Sequence, residues 1–316
     1  MSNASDFIIS AVETLRTKIG TAKALSACSG GVDSTVASVL AQKALGDRVI
    51  AVYVDSGLMR KNETVYVEEI FRKTGLNYKI IHAEKRFVEA LKGVTNPEEK
   101  RKIVGELFIR IFEETATEFG AEYLIQGTIA PDWIESGGGL RDRIKSHHNV
   151  AGLPEQISLK IVEPLRDLYK DEVREIARTL NISVSERQPF PGPGLAVRII
   201  GEVTEEKLHI IRECCAIVEE ELDLAVKNNK IAQPWQYFAV LLPVKSVGVH
   251  GDVRAYGETV AIRSVESVDA MSAEYSKIPH DVLEKISIRI TNTLKDKVNR
   301  VVYDITHKPP ATIEWE

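Results

Sequence analysis

Seven consecutive residues, Ser29-Gly30-Gly31-Val32-Asp33-Ser34-Thr35, combine the residue types that hold a phosphate group. Two adjacent glycines let backbone N–H groups approach an anion with no Cβ in the way. Ser34 and Thr35 add hydroxyl donors, and a helix beginning here would turn its positive end toward the anion. The string is neither GxxxxGK[ST], whose lysine it lacks, nor GxGxxG. A plainer reading is a capped helix start, with Ser29 or Asp33 as the N-cap and the glycines forming a turn.

Other candidates lie downstream. Asp55 closes an apolar run, where an acidic residue is either a turn former or a ligand contact. Asp132 and Glu135 are three apart, so on a helical turn both carboxylates share a face. Solvated surface carboxylates have the same spacing. Between Ser136 and Pro154 the periodicity collapses, and three glycines lead into Arg141, Arg143, Lys145, His147 and His148. A loop of that length inside a compact domain is functional or disordered. Adjacent histidines point different ways, which argues against a metal pair. The three cysteines, Cys28, Cys214 and Cys215, form no CxxC pair. None has the tight turn and histidine base of a thiol nucleophile, and His82-Ala83-Glu84 has no nucleophile to serve.

The elements that must position these residues follow from periodicity. Ile8, Val12, Leu15 and Ile19 mark an amphipathic helix. Apolar runs at 24–28, 48–54, 78–82 and 123–126 read as strands, separated by helical patterns. Such alternation implies βαβ crossovers and a mostly parallel, doubly wound α/β sheet. Ligands on these sheets sit beyond the carboxyl ends of the strands, where the glycine loop and Asp55 fall. Periodicity returns over 157–162, and a helix near 170–180 follows. The run Pro189-Phe190-Pro191-Gly192-Pro193-Gly194 then punctuates the chain and places a domain boundary there, giving 1–191 and 192–316. A helix near 205–226, strands near 238–249 and 258–263, a helix near 280–294 and a strand near 300–304 predict a smaller α+β domain.

Composition agrees with a folded protein and narrows its partners. The chain has 316 residues, of which 44% are hydrophobic and 28% charged, enough for two domains with real cores. With 41 basic and 46 acidic residues the formal net charge is −5, which argues against broad nucleic-acid binding. No apolar run approaches a membrane span and no secretory signal opens the chain, so a cytoplasmic setting is expected.

The glycine loop resembles the pyrophosphate loop of the N-type ATP pyrophosphatases, which cleave ATP between the α- and β-phosphates. Six further segments resemble GMP synthetase within that superfamily, in the family's order and across nearly the whole chain. They begin with Tyr53-Val54-Asp55-Ser56-Gly57-Leu58-Met59-Arg60-Lys61-Asn62-Glu63 and Gly127-Thr128-Ile129-Ala130-Pro131-Asp132-Trp133-Ile134-Glu135-Ser136. Lys145-Ser146-His147-His148-Asn149-Val150 and the run from Pro189 to Arg198 come next. Gly251-Asp252-Val253-Arg254-Ala255-Tyr256-Gly257 and the terminal Lys308-Pro309-Pro310-Ala311-Thr312-Ile313-Glu314-Trp315-Glu316 complete the set. Ala130 stands where many members carry an aromatic residue.

The resemblance implies an adenine nucleotide alpha hydrolase-like fold followed by a dimerisation domain. It implies that Ser29 to Thr35 and Asp55 contact ATP, with Asp33 holding Mg²⁺. Asp132, Glu135, Lys145 and His147 become catalytic candidates, the last two on a lid that closes over phosphates. Lys308, Thr312 and Glu314 are implied to contact xanthosine monophosphate, with Arg198 a candidate for its phosphate. On sequence alone the terminal Glu-Trp-Glu reads instead as a frayed, solvated end. Many relatives carry a fused glutaminase, and this chain has no cysteine suited to that task. The expected protein is therefore the ATP-pyrophosphatase subunit, a homodimer fed with ammonia by a separate glutamine amidotransferase. NAD synthesis or tRNA modification on the same loop, and a non-catalytic ATP sensor, are the competing readings.

Overall fold

In the computed structural model the described residues are 4–130, 159–182, 187–250, 253–268 and 270–316. They fall into two compact units. The first comprises the described residues of Met1–Asp55, Asn62–His82 and Glu106–Glu186, and the second those of Ser56–Lys61, Ala83–Gly105 and Arg187–Glu316.

The first unit is the expected α/β fold. Its strands are β1 (Lys23–Ala27), β2 (Val49–Asp55), β3 (Tyr78–His82), β4 (Ala121–Ile125) and β5 (Lys160–Val162). They form one parallel sheet in the order β3-β2-β1-β4-β5. Helices α1 (Ala4–Ile19), α2 (Val32–Leu45), α3 (Glu63–Thr74) and α6 (Lys170–Thr179) belong to this unit. Leu15, Val36, Leu40, Phe71 and Ile176 from these helices share one core with Ala24, Val49, Ala51 and Ile125 of the sheet. Alternation turns Leu25, Val52 and Leu124 to the other face, and they too are buried. Cover on both faces of the centre of the sheet explains why β1 and β2 read as mostly apolar runs. Short α4 (Glu84–Ala90) lies in the second unit, and long α5 (Pro97–Phe119) carries residues of both.

The second unit is built on β6 (Gln236–His250) and β7 (Val253–Glu266), a long antiparallel hairpin. Short β8 (Glu274–Tyr275) pairs antiparallel with the end of β7, and β9 (Val298–Tyr303) pairs parallel with its middle. Helix α7 (Glu205–Lys227) lies against β6, and α8 (His280–Thr293) against α7 and β9. This is the predicted α+β arrangement. Among the described residues no helix is long and apolar enough to cross a membrane.

Candidate active site

The order β3-β2-β1-β4-β5 reverses direction between β1 and β4, so the crevice at their carboxyl ends is the natural ligand position. The glycine loop leaves β1 at this point and runs straight into α2. Gly31 is the N-cap, with extended backbone at φ −72° and ψ 159°, and no side chain caps the helix. The plainer reading, a cap by Ser29 or Asp33, is thereby corrected. Ser29 lies two residues before the cap and Asp33 within the first turn; Ser29 Oγ lies 3.2 Å from Ser34 Oγ, and its N–H donates to the same hydroxyl at 3.2 Å. These bonds draw the two ends of the loop together.

The hydroxyls act on the loop itself. Gly31 O accepts from Ser34 Oγ at 3.1 Å, Thr35 Oγ1 at 2.8 Å and Thr35 N at 3.0 Å. Thr35 is buried and braces the loop from behind, whereas Ser29 and Gly31 are exposed. Behind them Ser26 and Ser38 share a buried 2.8 Å hydrogen bond, which ties β1 to α2.

Two glycines are demanded by close approach. Gly30 has φ +82°, and a Cβ there would lie 2.5 Å from Val67 Cγ2 of α3. Gly127, just past β4, sits against the first turn of α2: its Cβ would lie 2.6 Å from both Cα and N of Ser34. The strand after the switch point thus presses directly on the loop. Sequence reasoning had no signal for the role of Gly127 beyond its place in a family-like segment.

Asp55 ends β2 opposite His82 of β3, its partner in the sheet register. Thr64 Oγ1 of α3 donates to Asp55 Oδ2, and His82 Nδ1 lies 3.9 Å from the same oxygen. The carboxylate is held at the carboxyl edge of the strand beside β1. Asp33, in the first turn of α2, offers a half-buried carboxylate, the oxygen donor that a hard cation such as Mg²⁺ takes. Asp132, Glu135, Lys145 and His147 lie outside the described residues.

A second constellation lies within the other unit. Arg198 ends a 3-10 turn, Gly194–Arg198, and is fully buried. Its Nε and Nη2 donate to the two carboxylate oxygens of Glu314 at 3.1 and 2.8 Å. Its guanidinium lies 4.1 Å from the ring centre of Phe238 and 4.9 Å from that of Phe190. Gln236 Nε2 also donates to Glu314, at 3.0 Å. Lys308 Nζ donates to Ala270 O at 2.8 Å, and its backbone exchanges two hydrogen bonds with Ala273. Thr312 Oγ1 donates to Glu314 O. Arg263, also fully buried, donates to the carbonyls of Thr306, Thr312 and Ile313 and pairs with Asp304. The tail is therefore stitched down along its length, and the expectation of a frayed, solvated end is corrected: its glutamates meet buried cations.

The cysteines fit no nucleophilic role. All three are buried, and burial pushes the Cys214 and Cys215 thiols up, away from the reactive thiolate.

Known proteins share the sequence that builds this geometry. Residues 2–122 match the family described as NAD synthase, and residues 223–315 match the GMP synthase C terminal domain. The chain is 58% identical over 313 residues to a subunit of the glutamine-hydrolyzing GMP synthase of Pyrococcus horikoshii, covering 98% of each chain. It is 58% identical over 319 residues to the protein of the same name from Methanocaldococcus jannaschii, covering 100% of each. The chain belongs to this family of GMP synthase subunits. A third member, from Thermoplasma acidophilum, is 58% identical over 294 residues, covering 93% of this chain and 94% of its own. The N-terminal match to NAD synthase spans β1 to β3 and the glycine loop, and the C-terminal match spans the hairpin and most of the stitched tail.

Proposed function

We propose that the chain makes GMP from xanthosine monophosphate, ATP and ammonia. The C2 oxygen of the acceptor attacks the α-phosphorus of ATP, and pyrophosphate leaves. Ammonia then attacks C2, the C2–O bond breaks, and AMP departs. The observation that carries this reading is the uncapped start of α2, cradled by Gly30 and Gly31 at the switch point of the sheet. Exposed Gly31 and Ser29 line the place where the departing pyrophosphate would sit, with the helix N-terminus directed at its charge. Asp55 takes the nucleoside part of ATP. Asp33 would hold Mg²⁺, which when bound offsets the phosphate charge and helps pyrophosphate to leave.

For the acceptor, Lys308, Thr312 and Glu314 of the tail are the binding residues, with Arg198 the candidate for its phosphate and also the group that orients Glu314. Asp132, Glu135, Lys145 and His147 are assigned to catalysis, Lys145 and His147 from a closing loop. Ammonia comes from a separate glutamine amidotransferase, consistent with the naming of the relatives as one subunit of a glutamine-hydrolyzing enzyme. Homodimerisation uses the far half of the hairpin, where Val247, Val249, Val253 and Tyr256 are exposed apolar residues. A cytoplasmic location suits this chemistry.

The NAD synthase match over residues 2–122 favours one alternative, amide formation on the deamidated form of NAD. The purified chain should form GMP, AMP and pyrophosphate in equal amounts from ATP, Mg²⁺, xanthosine monophosphate and ammonium, and none with glutamine in place of ammonium. Turnover of the deamidated dinucleotide instead of xanthosine monophosphate would overturn the assignment.

A further inference from the structure

Lys100 is a fully buried lysine that none of the steps above uses. It lies in the N-terminal part of α5, within Glu98-Glu99-Lys100-Arg101-Lys102, a run that looks like a solvated charged face. Its ammonium has three protons and three acceptors. Nζ donates to Ala196 O at 3.2 Å, to Ile199 O at 2.7 Å and to Glu316 Oε2. The first two carbonyls flank Arg198, and the third acceptor lies two residues beyond Glu314. One side chain therefore grips both the turn that presents Arg198 and the tail that presents Glu314. Gly201 N donates to the other Glu316 oxygen at 3.3 Å, and Arg101 donates to Glu316 O. The arrangement is closed on both sides of the Arg198–Glu314 pair.

We propose that Lys100 is a positioning residue for acceptor binding, fixing Arg198 and Glu314 relative to each other before the nucleotide arrives. The inference rests on the reading that Glu314 and the tail bind xanthosine monophosphate. A buried lysine is a costly way to fill space, since an apolar side chain would pack there without desolvating a charge. Burial pulls Lys100 down from its ordinary value, while Glu316 counters that shift. The pair is interdependent: the tail supplies a counter-charge for the buried lysine, and the lysine holds the tail. Preformed sites bind more tightly because less ordering remains to be done on binding.

The test compares Lys100→Met and Glu316→Gln with the unaltered protein, in GMP formation from xanthosine monophosphate, ATP, Mg²⁺ and ammonium. Both substitutions should raise KM for xanthosine monophosphate, Lys100→Met by roughly tenfold or more, because a hydrogen-bonded charge is lost. Glu316→Gln keeps the shape and one acceptor, so its effect should be smaller. In both, kcat and KM for ATP should stay within about twofold, a split that general destabilisation would not produce. Calorimetric titration with xanthosine monophosphate alone should show the same weakening without turnover. Unchanged acceptor KM in folded variants, or a proportional fall in every parameter, would overturn the proposal. If Lys100→Met does not fold, Glu316→Gln decides alone. Failure of the unaltered protein to make GMP would instead overturn the functional reading, and this inference with it.

Discussion

Arg198 and Glu314 meet through two parallel hydrogen bonds although 116 residues separate them, and the arginine is completely sealed from solvent. The buried arginine is sheltered with the half-buried carboxylate as its partner. Removing one should cost far more than removing both. Glu314→Gln removes the carboxylate that accepts from the guanidinium twice, at an expected cost of about 3–5 kcal/mol. Arg198→Met combined with Glu314→Leu removes the stranded charge and should destabilise less than Glu314→Gln alone. Urea denaturation of the variants, followed by tryptophan fluorescence, checks the ordering. A double variant less stable than the single would show that the pair is not a mutually dependent unit.

Gly127 gives a sharper test of the loop, because it has no charge to lose. Its Cβ would lie 2.6 Å from Ser34 backbone atoms, and backbone cannot swing aside as a flexible side chain can. Gly127→Ala should therefore displace the start of α2. The expected stability loss is about 1–3 kcal/mol, with a larger proportional loss of ATP-dependent pyrophosphate release. Gly192→Ala serves as the control, since a Cβ there meets nothing within 4 Å. It should alter stability by no more than about 0.5 kcal/mol. Equal behaviour of the two variants would mean that the loop tolerates movement at its helix start.

The contrast between loop and tail shows what a sequence exposes. Ser29 to Thr35 form a local structure: two glycines, a strand before and a helix after are visible within a few residues. The parallel sheet was legible for a similar reason, since strands buried on both faces must be continuous apolar runs. The internal bonding of the loop was not. Which partner Ser29 takes depends on where Ser34 points, and the result is a helix with no side-chain cap. Glu314 and Glu316 read as a solvated end because their counter-ions, Arg198 and Lys100, lie 116 and 216 residues earlier. Lys100 is further disguised by charged neighbours. Long-range ion pairs leave no periodicity for a reader to find.

Asp33 tests the magnesium assignment. Asp33→Asn removes the charge with little change in volume, so the fold should survive. If the carboxylate holds Mg²⁺, adenylation should fall roughly tenfold to a thousandfold, about 1.4–4 kcal/mol of barrier. The loss should be greatest at limiting Mg²⁺ and should shrink as the ion is raised, because mass action restores a weakened site. Pyrophosphate release across a magnesium titration reads this directly. An unchanged rate at limiting Mg²⁺ would leave Asp33 with no part in holding the metal.

Lys145 and Lys308 should differ in what they cost when removed. Lys308 is already held in the protein: Nζ donates to Ala270 O, and two backbone hydrogen bonds tie it to Ala273. A cation fixed before the acceptor arrives contributes to ground and transition states alike. Its loss should mainly raise KM for xanthosine monophosphate. Lys145 follows three consecutive glycines in the sequence and is proposed to act only after ATP binds. A charge positioned only at that stage lowers the barrier without strengthening ground-state binding. Lys145→Ala should depress kcat and leave the acceptor KM nearly unchanged, whereas Lys308→Ala should do the reverse. Steady-state kinetics at saturating ATP separate the two. Identical signatures, or exchanged ones, would show that loop and tail do not divide chemistry from binding in this way.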